Sequence, residues 1–172
     1  LFIYLEFQSE NVLMQDWNDI HMFIDADMDT ETGNLVHGIG AELDWCFGCR
    51  DGEYYSMNGV IDLEQNDITL RIAPTITDSK FEIAISRNSS FITMDGAQDA
   101  SEIRVVFTSG GGNEDTMPDE TGGIYYEFDN THVPSPEIIT LEKNETEHLR
   151  ILSYNVLSDG LFDSGRQPRF ER

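Results

Sequence analysis

The chain has 172 residues, with ten Lys plus Arg against 33 Asp plus Glu and a formal net charge of −23. That length holds one domain with a proper core and is too short for two ordinary ones. So acidic a surface repels phosphate backbones and argues against nucleic acid as a ligand, and no apolar run approaches the roughly 18 residues of a membrane-spanning helix.

Taken in order, "LFIYLEF" (residues 1–7) alternates, shows neither the basic flank nor the cleavage site of a signal peptide, and reads as a strand. Because it opens on Leu1 rather than Met, the chain is expected to be a fragment. The clearest period-2 runs are "IHMFI" (20–24), "ITLRI" (68–72), "FEIAI" (81–85) and "IRVVF" (103–107), with weaker candidates in "GAELDW" (40–45), "GEYYSM" (52–57) and "GIYYEF" (123–128). No stretch keeps helical periodicity beyond about two turns. This pattern predicts an all-β domain over 1–130, an antiparallel, jelly-roll-like β-sandwich of about eight or nine short strands with helix confined to short turns. "SGGGNEDTMPDETGG" (109–123) reads as a surface loop, the alternative being a second cation site. Residues 131–148, with prolines and mixed polar residues, have linker composition.

Cys46 and Cys49 form a single C-x-x-C. Structural zinc needs four ligands, usually two such pairs or a pair with spaced histidines, and no second pair exists. On a continuous strand, residues three apart point to opposite faces, which argues against a disulfide. Two incidental thiols are the expectation.

"FIDADMDTETG" sets Asp25, Asp27 and Asp29 two apart after a strand, with Thr32 and Gly33 closing the turn. Carboxylates two apart on extended chain share a side and repel unless a cation lies among them or the backbone curls around one. The sixth-position glycine and twelfth-position glutamate of an EF-hand are missing. A sandwich would supply further oxygens from another strand, and Glu42 in "GIGAEL" is the candidate. The predicted site is therefore structural calcium held by Asp25, Asp27, Asp29 and Glu42; the competing reading is an acidic turn whose aspartates cap backbone amides.

"HMFIDADMDTETG" followed by "GIGAELDWCFGCRDGEYY" resembles the calcium-containing sandwich of carbohydrate-binding modules and related accessory domains, over roughly residues 18–107. The resemblance implies a jelly roll with structural calcium and, more weakly, a glycan partner. Trp17, Trp45, Tyr54 and Tyr55 are the candidates for stacking on sugar, each also able to serve as core packing.

"LRILSYNV" (149–156) suits a strand buried on both faces, with Asn155 near its end and a polar loop beyond. This stretch, about 24 residues to the chain's end, resembles the opening of the endonuclease/exonuclease/phosphatase superfamily of metal-dependent phosphoesterases. The resemblance implies that residues 149–172 begin a truncated α/β domain, that Asn155 matches the family's catalytic asparagine, and that the parent enzyme hydrolyses a phosphate ester with magnesium. Asn155 alone cannot hold a catalytic ion, so the chain itself is expected to be inactive. An extracellular or periplasmic location suits a calcium site, and sequons at Asn88 and Asn144 fit secretion.

Overall fold

The computed structural model describes residues 1–8, 11–87, 89, 100–110 and 115–129. The chain divides into two compact units, Leu1–Thr131 and His132–Arg172, and every described residue lies in the first. The linker reading, the strand expected at 149–156, Asn155 and the sequon asparagines Asn88 and Asn144 lie outside the described residues.

The β-branched and aromatic runs become strands, and no helix occurs among the described residues. The strands among the described residues are β1 (Phe2–Glu6), β2 (Ile20–Asp25), β3 (Asn34–Val36), β4 (Ile39–Ala41), β5 (Leu43–Cys46), β6 (Asp51–Ser56), β7 (Gly59–Glu64), β8 (Arg71–Ala73), β9 (Lys80–Ala84), β10 (Glu102–Ser109), β11 (Asp115–Met117) and β12 (Ile124–Glu127). A seven-stranded sheet has the order β11-β10-β2-β5-β6-β7, with β12 also pairing β10; a three-stranded sheet has the order β1-β9-β8, and β3 pairs β4 as a separate hairpin. Every pairing is antiparallel.

Alternation decides what each face carries. Along β2 and β10, Ile20, Met22, Ile24, Ile103, Val105 and Phe107 point to one side, where they meet Leu5, Ile72, Phe81 and Ile83 of the smaller sheet in one core. The two sheets therefore enclose a common apolar layer, the arrangement of an all-β sandwich. A second, small core lies on the other face of the large sheet, where Phe23 and Val106 pack with Ile39 and Ala41 of β4. The β3–β4 hairpin thus covers the outer face of the end of β2, and its tight seat depends on Gly40. A Cβ there would strike the carbonyls of Asp29 and Thr32.

Several sequence expectations change. "GAELDW" is not one strand; it breaks at Glu42 into β4 and β5. Only the end of "ITLRI" pairs in β8, because Ile68 and Leu70 enter the core from a turn in which Gln65 and Leu70 bond each other twice. β7 escaped the pattern because Leu63 is its one buried residue, so it carries no alternation to read. β11 falls inside the stretch expected to be loop.

The expectation of two free thiols fails outright: Cys46 and Cys49 form a disulfide. The argument from opposite faces assumed a continuing strand. Instead β5 stops at Cys46 and the chain turns back, with Arg50 at φ 64° donating its N–H to the Cys46 carbonyl at 3.0 Å. That turn brings the two Cα atoms to 5.2 Å, within the range a disulfide spans.

These burial patterns predict opposite outcomes at two positions. Leu43→Ala, at a fully buried site, should lower unfolding free energy by about 2–5 kcal/mol in urea titration. Trp17→Ala, at a residue 96 % exposed, should stay within about 0.5 kcal/mol of wild type.

Candidate metal centre

β2 ends on Asp25, whose side chain by strand alternation lies on the same face as Phe23. That face is the one the β3–β4 hairpin covers, so Asp25 is fully buried. The following loop returns Asp27 over it, and the interruption between β4 and β5 delivers Glu42 from the far side. Carboxylate oxygens of Asp25, Asp27 and Glu42 all lie within 4.8 Å of one another.

Backbone and hydroxyl donors hold most of these oxygens. The N–H of Met28 donates to Asp25 Oδ1 at 2.7 Å, and that of Ala26 to Glu42 Oε2 at 2.7 Å. Asp27 accepts from the Asp29 N–H at 2.8 Å and from Thr32 Oγ1 at 2.9 Å. One oxygen is left over: Asp25 Oδ2 is buried and accepts no hydrogen bond. An ionised carboxylate deprived of water and left with an unmatched oxygen is costly, and a cation would remove the cost.

Of the predicted quartet, Asp25, Asp27 and Glu42 stand together and Asp29 lies outside that group. The Asp29 side chain is exposed and accepts from the Glu31 N–H at 2.9 Å, while its carbonyl accepts from the Thr32 hydroxyl at 2.9 Å. The competing reading of amide capping fits all three aspartates, since Asp25 and Asp27 also accept from backbone N–H groups; what sets Asp25 and Glu42 apart from Asp29 is burial. Sequence reading also missed Arg104, which lies directly across from Asp25 in the β2–β10 register. The signal for it, an alternating strand whose outward position carries a cation, appears only once the pairing is known.

Electrostatics follow the geometry. Burial pushes the Glu42 carboxyl up to about 7, opposed by the Ala26 N–H and reinforced by the neighbouring charges of Asp27 and Asp25. Burial likewise raises Asp25, with the Met28 N–H pulling it down, Asp27 pushing it up and Arg104 pulling it down. Both carboxyls therefore give up their protons at higher pH than an exposed carboxylate does.

Of the aromatic candidates for sugar stacking, Trp45 and Tyr54 are buried in the core and cannot present a face. The Tyr55 hydroxyl donates to Glu53 at 2.6 Å, and Trp17 stands exposed. No helix among the described residues is long and apolar enough to cross a membrane. Comparison with protein-family models, with curated proteins and with solved structures yields no match.

The raised Glu42 value fixes the sign of a pH effect. Between its ordinary 4.5 and about 7 the folded state binds more protons than the unfolded, so stability falls as pH rises through that window. With a chelator present, urea unfolding should show a loss on the order of 2 kcal/mol between about pH 5 and pH 8. Glu42→Gln should flatten much of that loss.

Proposed function

We propose that the sandwich is a calcium-stabilised, jelly-roll-like accessory module standing before a metal-dependent phosphoesterase domain. The observation that carries the calcium assignment is the orphaned Asp25 Oδ2, buried beside Asp27 and Glu42. The donors are hard oxygens, with no nitrogen or sulfur among them, and they come from a loop and two strand ends. Such a set suits calcium, which accepts irregular oxygen coordination, better than magnesium, which demands near-octahedral geometry and keeps several waters. Calcium bound by Asp25, Asp27 and Glu42 would neutralise charges that repel one another and tie β2 to the β4–β5 break. Its contribution is to stability, through binding to the folded state alone.

The enzyme assignment rests on the resemblance of "LRILSYNV" and Asn155 to the first strand of the endonuclease/exonuclease/phosphatase superfamily. In that reading the downstream domain supplies the carboxylates and histidines, and magnesium bound there polarises the phosphoryl oxygens of a phosphate-ester substrate. The sandwich contributes no catalytic group, and Asn155 by itself cannot turn over substrate. An extracellular or periplasmic setting is supported by the disulfide, which persists in oxidising compartments. The glycan alternative rests on Trp17, the exposed member of the four aromatic candidates.

Two measurements test the proposal. Calcium should raise the thermal midpoint of the chelator-treated chain at neutral pH. Asp25→Asn should be as stable as metal-free wild type or more so, because it discharges a buried acid, yet lose the calcium response. A wild-type midpoint indifferent to calcium would overturn the cation assignment. Separately, the product of the full reading frame should hydrolyse a phosphodiester only with a divalent ion while the chain of residues 1–172 does not; an inactive full product would overturn the enzyme assignment and leave the calcium result standing.

A further inference from the structure

The Cys46–Cys49 turn carries a feature that its disulfide does not use. Cys46 and Asp51 are directly opposed in the β5–β6 register, so sulfur and carboxylate stand side by side on the outer face of the large sheet. Sγ of both cysteines and an Asp51 carboxylate oxygen lie within 4.8 Å of one another. The Cys49 N–H points at Cys46 Sγ, 3.2 Å away, a donor placed to favour a thiolate.

Around them runs a groove of about 710 Å³ whose lining includes Asp44, Glu53, Asp62, Glu64 and Asp67, and no lysine or arginine. Its field concentrates cations and disfavours anions. His21 also lines the groove, its Nδ1 2.7 Å from Asp44 Oδ1, but it stands outside the ligand group.

The turn is braced without help from the S–S bond. Phe47 is buried, stacks near Phe107 at 6.4 Å, and donates its N–H to the Ile20 carbonyl at 2.9 Å. Gly48 lies so close to the Asn18 backbone that any side chain would collide with it. Those contacts would hold the loop if the disulfide were opened, and the exposed Cys49 would then have to rotate to the sulfur spacing of about 3.8 Å that Zn–S bonds near 2.3 Å require.

We propose that the reduced turn is a binding site for zinc or a similar borderline-soft divalent ion, held by Cys46 Sγ, Cys49 Sγ and Asp51, with water in the fourth position. The step balances in two parts. A dithiol reductant gives up two electrons and two protons and becomes a disulfide, while the Cys46–Cys49 bond breaks to two thiols; the divalent ion then displaces those two protons and binds two thiolates. Mixed sulfur and oxygen donors suit zinc and distinguish this site from the all-oxygen group at Asp25. Sequence reading set zinc aside for want of a second ligand pair, and the missing donor is Asp51, brought in by the hairpin.

Because the chain has two cysteines in all, any thiolate signal reports on this pair. The full chain, reduced with a water-soluble phosphine that is then removed, should bind one equivalent of Co²⁺ with a thiolate-to-cobalt charge-transfer band and the intense visible bands of tetrahedral cobalt, bleached by one equivalent of Zn²⁺. The unreduced chain should show neither. Cys49→Ser should abolish the charge-transfer signature of paired thiolates, and Asp51→Asn should weaken affinity at least tenfold. Circular dichroism of the reduced protein should retain the β-sheet signal. Reduced, folded protein without these bands, a β-sheet signal lost on reduction, or an unaltered titration in Asp51→Asn would each overturn the proposal.

Discussion

The outer face of the large sheet is organised around a carboxylate that water does not reach. Asp25 ends the central strand β2 beneath the β3–β4 hairpin, with one oxygen bonded to the Met28 N–H and the other bonded to nothing. Leaving that oxygen uncompensated is expensive, and the surrounding chain is shaped by it. The loop folds back so that Asp27 and Thr32 close over it, β4 and β5 part to admit Glu42, and Gly40 lets the hairpin backbone press against the loop carbonyls. The small core of Phe23, Val106, Ile39 and Ala41 holds this cap in place. Destabilisation at the carboxylates and stabilisation by that apolar cluster are thus two sides of one arrangement, whose balance the proposed cation would shift.

The two faces of the large sheet have separate tasks. Its inner face, with Trp45, Leu43, Ile24 and Phe107, closes the sandwich against the smaller sheet and supplies the bulk of the stability. The outer face carries the two groups of side chains that could hold a metal ion. At one position lie the oxygen donors around Asp25; across the strands, at the β5–β6 turn, lie the sulfurs and Asp51 above an acidic groove. The strongly negative composition is therefore not spread evenly as solvation alone. Part of it is gathered where a folded surface can hold a positive charge.

What could be read in advance was whatever follows from local periodicity. Strands β2, β9 and β10 announce themselves because each is buried on the core side at every second residue. The edge strand β7, with only Leu63 buried, is silent for the same reason. Asp25 and Asp27 were legible from their spacing, and Glu42 from the glycines before it. The role of Asp29 was not, because a carboxylate two residues on is free either to join a cation or to cap an amide, and the tightness of the turn made it a cap. The disulfide was misjudged because strand geometry was carried past the end of β5 at Cys46 as far as Cys49: the direction of Cys49 depends on where β5 ends.

By itself, then, the sequence determined the class of fold, the acidic character of the chain and which acidic segment to look at, since side-chain alternation and residue chemistry are properties of short segments. Which carboxylate would be buried, which oxygen would lack a partner, and which acid would stand opposite Cys46 were decided by tertiary structure alone. Those facts depend on strand register and on a hairpin laid across a sheet, and both are settled by contacts between residues far apart in the chain.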